Sequence, residues 1–327
     1  MKISDRATIC MPYHRIQDCL EEDRLSDKKF GSTRRGIAPV YADKYMKKTI
    51  RMGDLRDIDG VADHLRDIVE WKNLLIEGGY HHEPIDAEKM LTWLRTYGKP
   101  LLPYICNTSE YLSKAADEGK KILFEAQLGA LRDIDYGIYP YTSSSNSIAA
   151  FSTIGAGIPQ LHLDESIGVM KAYSTCVGEG PFVCELFGEE GEILRRAGSE
   201  YGAATGRPRR VGGFDVVASR YGIRCQGAKE IALTKLDVLS GYEEIEICTE
   251  YLLDGKAVEV FPFTDVLDEC KPVFKTVKGW NKDISKCRKK EDLPQEALDY
   301  IAFIEKACDC HIKYVSVGAE RDAYIEM

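Results

Sequence analysis

The sequence predicts an α/β fold with a mainly parallel central sheet and flanking helices, on three observations. Short apolar runs bounded by glycine, such as residues 121–125 between Gly119 and Gly129, have the length and composition of buried parallel strands. Longer stretches repeat apolar residues at helical spacing and make residues 56–118 a largely helical insertion. An Asp254-Gly255 pair inside residues 242–263 marks a small β-hairpin extension with a type I′ turn. No linker is long enough to force a boundary, so residues 1–327 read as a single domain.

From the start of the chain, residues 2–10 alternate as a strand does and begin with no preceding turn or cap, and residues 17–27 are helical in composition. The loop Gly31-Ser32-Thr33-Arg34-Arg35-Gly36 combines glycines, hydroxyls and arginines and suits an anion. Residues 41–48 form a helix with Lys44 and Lys48 on one solvated face. In residues 58–76, Val61, Leu65, Ile68, Val69, Leu74 and Leu75 define a long amphipathic helix, and helices follow over 86–94 and 103–117. His81 and His82 lie in a loop with no acid at a matching helical spacing, which disfavours a metal pair.

Beyond the 121–125 run come Gln127, Leu128, Gly129 and Asp133, where open α/β sheets hold ligands. The hydroxyl-rich run Tyr139-Pro140-Tyr141-Thr142-Ser143-Ser144-Ser145-Asn146 suits donation to phosphate or ribose oxygens, and suits a flexible polar loop equally well. Gly155-Ala156-Gly157 lacks the third glycine of a dinucleotide fingerprint. Residues 167–172 are a strand and 189–196 a helix.

The loop Ala204-Thr205-Gly206-Arg207-Pro208-Arg209-Arg210 then places three guanidinium groups within four positions. Held on a shaped turn, they form either a binding loop for a phosphorylated or carboxylated molecule or a turn tied by ion pairs. Residues 229–233 are a further strand, ending in Thr234-Lys235-Leu236-Asp237. A carboxylate fixed at a strand end accepts from N1–H and the exocyclic amine of guanine while a lysine stem covers the purine face, and adenine offers no such donor pair. Pro294 opens a helix with Leu298, Ile301, Ile304 and Cys308 along one side, and residues 311–318 make a final strand and turn.

Composition narrows the function classes. A net charge of -9 with 30% charged residues argues against a nucleic-acid or membrane surface, and the basic run 282–290 is interrupted by acids. Eleven cysteines in a long chain read as reduced thiols, and Cys308-Asp309-Cys310 has no second pair at zinc spacing. The opening residues lack an apolar signal core and no run reaches membrane length, so a cytoplasmic location is expected. No G-x-x-x-x-G-K-[ST] segment occurs.

Taken in order, these motifs resemble the adenylosuccinate synthetase family, the GTP-dependent ligases that join L-aspartate to IMP in AMP biosynthesis. The likeness runs from Lys2-Ile3-Ser4-Asp5-Arg6-Ala7 through the 31–39 loop, Asp133-Ile134-Asp135, Gly180-Pro181-Phe182 and the arginine loop to Thr234-Lys235-Leu236-Asp237. It implies a P-loop NTPase-like fold, with IMP bound by Thr33, Lys47, Gln127, Thr142, Ser143 and Arg207. Lys47 stands where the family has an arginine reaching the partner subunit's IMP, and Gln127 is displaced by one position within Phe124-Glu125-Ala126-Gln127-Leu128-Gly129. Aspartate would meet Ala203, Ala204, Thr205, Gly206 and Arg207, and GTP would meet Arg209, Lys235, Leu236, Asp237, Ser316, Val317 and Gly318. Lys44 matches the signature lysine and is the catalytic candidate.

The resemblance also implies Mg2+ and a homodimer. The family's G-D-E-G-K-G-K and G-H-T segments, which carry its general base, metal ligand and general acid, do not occur in this sequence. The expectation is therefore an N-terminally truncated or split member, inactive alone, whose missing strand exposes a sheet neighbour. The competing expectation is a non-catalytic guanine-nucleotide-binding or dimerisation module.

Overall fold

The computed structural model describes residues 1–202 and 206–327. By compactness the chain divides into one unit of Met1–Ala126, Ser143–Asn146 and Phe151–His162, and a second of Gln127–Thr142, Ser147–Ala150 and Leu163–Met327.

The first unit contains β1 (Ile3–Ser4), α1 (Pro12–Leu25), α2 (Ile37–Tyr45), α3 (Ala62–Gly78), α4 (Ala87–Trp93), β2 (Ile105–Cys106), α5 (Thr108–Asp117) and α6 (Phe151–Ala156). The strand expected over 2–10 reduces to β1, paired in parallel with β2. Pro12 at the first helical position starts α1 earlier than composition alone suggests. Asp86 and Asn107 cap α4 and α5 by accepting from backbone N–H groups of their first turns. Along α3 the buried stripe is Leu65, Ile68, Val69, Lys72 and Ile76. Leu74 and Leu75, expected on that face, are exposed, because a lysine holds the position that continues the i, i+3, i+4 register.

The second unit contains β3 (Ile167–Lys171), β4 (Ser174–Cys176), α7 (Gly188–Ala197), β5 (Arg210–Gly212), β6 (Phe214–Asp215), α8 (Val216–Gln226), β7 (Glu230–Thr234), β8 (Glu244–Leu253), β9 (Lys256–Ala257), α9 (Thr264–Leu267), β10 (Lys271–Lys278), α10 (Gln295–Cys308), β11 (His311–Ser316) and β12 (Tyr324–Glu326). Its central sheet has the order β12-β11-β7-β3. β3, β7 and β11 run parallel, and β12 pairs antiparallel at the edge. Ile231, Leu233, Ile312 and Val315 are fully buried, and α10 covers them with Ala297, Tyr300, Ile301, Ile304 and Cys308. The mainly parallel sheet with flanking helices therefore stands as the sequence predicts.

Two elements differ. The 121–125 run forms no strand; Leu123 is 93% exposed and the segment pairs with no described strand. Strand formation needs a ladder partner, which an apolar run cannot specify locally. The 254–255 turn forms as expected, with positive φ at Asp254 and Gly255, but β9 contributes only Lys256 and Ala257. The long antiparallel partner of β8 is β10, whose Pro272 and lysines mask a strand pattern and suit its place at a sheet edge.

Leu233, at the centre of the parallel ladder, tests this core. Leu233→Ala should lower stability by about 3 kcal/mol in chemical denaturation, whereas Val169→Ala on the exposed face of β3 should change it by less than about 0.5 kcal/mol.

Candidate functional site

Parallel strands end side by side, and the residues following β7 and β11 carry polar groups out of that common edge. β11 pairs with β7 through Val315 and Leu233, so Lys235, Leu236 and Asp237 and the segment Ser316, Val317 and Gly318 leave the sheet as neighbours. Lys235 takes a left-handed conformation, φ 60°, and turns the chain from β7 into the 3-10 turn Leu236–Leu239. The side chains of Leu236 and Val317 are fully buried in the core, so only their backbones can meet a ligand. The Ser316 hydroxyl donates to the Gly318 carbonyl at 3.0 Å. Burial raises the pKa of the half-buried Asp237 carboxyl, opposed by its own backbone N–H and by Lys235.

Beneath this edge lies a fully buried carboxylate, Glu200. Lys171, at the end of β3, donates to both of its oxygens at 2.9 Å, and the Tyr173 hydroxyl donates to Oε1 at 2.6 Å. Arg209 Nη1 donates to Oε2 at 2.8 Å, and Lys235 Nζ lies 3.2 Å from Oε1 while also donating to the Gly198 carbonyl. Burial alone would raise the Glu200 pKa, but the bonds from Tyr173 and Lys171 and the surrounding positive charge bring it down to about 2. Lys171 is lowered, chiefly by burial and further by the charges of Arg209 and Lys235, against the pull of Glu200.

The arginine loop is closed by backbone contacts. Tyr201 and Pro208 form an antiparallel bridge, Gly202 N–H donates to the Arg207 carbonyl at 2.8 Å, and Gly206 has φ 64°. Each arginine has an acidic partner: Arg207 with Glu179 at 2.9 Å, Arg209 with Glu200, and Arg210 in a fork on Glu185 with a further bond to the Gly180 carbonyl. Arg210 is thus a structural clasp between β5 and the 180–185 segment. Arg209 keeps one buried donor, Nε, without a hydrogen-bond partner among the described residues. Ala203, Ala204 and Thr205, expected at the aspartate site, lie outside the described residues.

In the first unit, Thr33 is exposed on the loop joining α1 to α2. Asp18 shapes that loop by accepting from the Ser32 hydroxyl at 2.7 Å and from Gly36 N–H at 2.8 Å. A side chain at Gly36 would meet the backbone of His14 and Arg15. Lys44 and Lys47 are exposed at the end of α2, with Lys44 over the rings of Tyr41 and Tyr45. The neighbouring Asp43 is buried against His14 Nε2 at 2.9 Å and Lys72 Nζ at 2.7 Å. Because Met11 N–H donates to His14 Nδ1, the ring proton sits on Nε2 and faces Asp43. Ser143 Oγ lies 3.2 Å from Ser145 Oγ and is half-buried.

In the second unit, Gln127 is exposed and Thr142 half-buried. The buried Asp133 fixes the backbone near them, accepting from the N–H groups of Asp135, Tyr136 and Ser147. Among the described residues no group of three or more His, Cys, Asp or Glu side chains is arranged to hold a metal ion. They form no all-protein cage, which magnesium, held by one or two carboxylates and substrate phosphates, does not require. Among the described residues, no helix is long and apolar enough to cross a membrane.

This edge of parallel strands, with residues 235–237 and the arginine loop, is carried on a chain whose residues 1–325 match the family model for adenylosuccinate synthetase. The chain belongs to the adenylosuccinate synthetase family. It is 44% identical to the adenylosuccinate synthetase of Nostoc punctiforme over 324 residues, 99% of this chain and 72% of that protein. Against the enzyme of Caldanaerobacter subterraneus it is 44% identical over 326 residues, 99% of this chain and 76% of the other. The fully ligated adenylosuccinate synthetase from Plasmodium falciparum superimposes with a TM-score of 0.93 at 33% identity, covering 100% of this chain and 78% of that one. Adenylosuccinate synthetases are ligases that form a carbon–nitrogen bond, with GTP, IMP and aspartate as reactants in AMP biosynthesis.

Within this synthetase chain, residues 235–237, 316–318 and Arg209 come together on the second unit. Thr33, Lys44, Lys47 and Ser143 belong to the first unit, and Gln127, Thr142 and Arg207 to the second. Sequence reasoning missed Glu200, Lys171 and Tyr173, whose only signal is a run of polar residues at the ends of β3 and α7. It also missed Asp18 and Asp43.

The depressed pKa of Glu200 has a consequence for acid stability. With a folded value of about 2 against an ordinary 4.5, its contribution is fully present above pH 4.5 and is lost as pH falls toward 2. Glu200→Gln should lower stability at neutral pH and flatten the pH dependence between about 4.5 and 2, read by thermal unfolding across a pH series.

Proposed function

We propose that this chain acts in the GTP-dependent ligation of L-aspartate to IMP, giving adenylosuccinate, GDP and phosphate, as a cytoplasmic, magnesium-dependent homodimer. The observation that carries the reading is the pairing of Lys235–Asp237 with Ser316–Gly318 at the ends of adjacent parallel strands. In this reading the Asp237 carboxylate accepts from guanine N1–H and the exocyclic amine, and the Lys235 stem covers the purine face. Backbone groups of Leu236, Val317 and Gly318 border the base, with the Ser316 hydroxyl beside them. Arg209 donates to an oxygen of GTP through its Nε, which has no partner among the described residues.

Arg207 exchanges its exposed bond to Glu179 for the carboxylate of aspartate and for the nucleotide, beside Ala203, Ala204, Thr205 and Gly206. IMP is held by Thr33, Gln127, Thr142 and Ser143, with Lys47 reaching the IMP of the partner subunit and Lys44 placed as the catalytic lysine. Magnesium is assigned to no residue here, and the roles above involve only side chains and backbone.

Asp237 gives the direct test. Asp237→Ala should weaken GTP about 100-fold in calorimetry and leave ATP unchanged, as loss of two hydrogen bonds to a charged acceptor requires. Unchanged GTP preference would remove Asp237 from the clamp. Because burial raises the Asp237 pKa above its ordinary value, GTP affinity should fall as pH drops through that raised pKa, and Asp237→Asn should abolish the dependence.

A further inference from the structure

The turn proposed to read guanine rests on a residue buried beneath it, Glu200. Lys235 is a non-glycine residue at φ 60°, a conformation that needs surrounding contacts to hold it. Two contacts fix its ammonium, the Gly198 carbonyl and Oε1 of Glu200. The same residue holds Arg209 twice, its carboxylate by Nη1 to Oε2 at 2.8 Å and its backbone carbonyl by Arg209 N–H at 2.9 Å. Lys171 and Tyr173 fill its remaining acceptor sites from β3 and from the residue just before β4.

We infer that Glu200 is the positioning residue of the nucleotide site, setting base selectivity through Lys235 while holding Arg209 for the same nucleotide. The inference rests on the guanine reading of Lys235 and Asp237. With Glu200 in place, the lysine stem runs down to a fixed anchor and the left-handed kink delivers Asp237 at a single height above the sheet edge. An amide in its place has one oxygen for four donors, and its NH2 group opposes a cation. Lys235 would then swing free, and the kink it stabilises would relax toward ordinary β or α geometry.

The test compares dissociation constants for GTP and ATP in Glu200→Gln, with Asp237→Ala as the control for the underlying clamp. Glu200→Gln should reduce the GTP-to-ATP preference by about tenfold, the size of one charge-assisted contact, with bound ATP little changed. A merely structural role would lower the melting temperature and leave the preference intact, and that result overturns the inference. If Asp237→Ala leaves the preference unchanged, the clamp reading itself fails; if Asp237→Ala removes it and Glu200→Gln does not, only the positioning role fails. Should Glu200→Gln not fold, Tyr173→Phe, which removes one donor from Glu200 and leaves every charge in place, decides. It should reduce the preference by about threefold, and an unchanged preference there overturns the inference.

Discussion

A carboxylate with no exposure to water is tolerated only where donors converge on it, and around Glu200 four do. They come from the end of β3, the segment before β4, the residue preceding β5 and the residue following β7. Elements separated in sequence are thereby tied at one point, directly under the edge where parallel strands deliver their ends. Removing the charge would strand three cations, which is why the cluster behaves as one unit. The sheet supplies the coarse placement through its register, and this ionic node supplies the fine placement of Lys235 and Arg209.

The first unit uses the same device independently. Asp18 holds the Ser32–Gly36 turn, and Asp43 sits between His14 and Lys72, with His14 kept neutral mainly by burial. In the first unit Thr33, Lys44 and Lys47 are exposed while Asp18 and Asp43 are buried, and in the second the half-buried Lys235 and Arg209 rest on the buried Glu200. The loops expected to bind substrate thus rest on buried acids whose donors fix the local backbone.

What the sequence made legible follows from locality. β3, β7 and β11 are short apolar runs, α10 has a clear stripe, and Asp254-Gly255 can form little but a tight turn, so each was readable from its own residues. Residues 235–237 and 316–318, proposed to read guanine, were picked out through a chain of motifs in family order. Glu200 was not, because it stands in a polar stretch beside Ser199 and Tyr201 and its burial is decided by partners up to 35 positions away, as for Lys235. Lys72 is likewise buried because Asp43, 29 positions earlier, supplies its counter-charge. The 121–125 run failed in the opposite sense: it has strand composition and no ladder, and β10 has a ladder with a composition that hides it.

The central claim is that guanine is read at the joint edge of β7 and β11, and amide hydrogen exchange tests it without altering any residue. GTP should slow exchange in both residues 235–239 and 316–318, and an equal concentration of ATP should slow neither. Equal protection by both nucleotides, or protection by GTP that spares these two segments, would contradict the account.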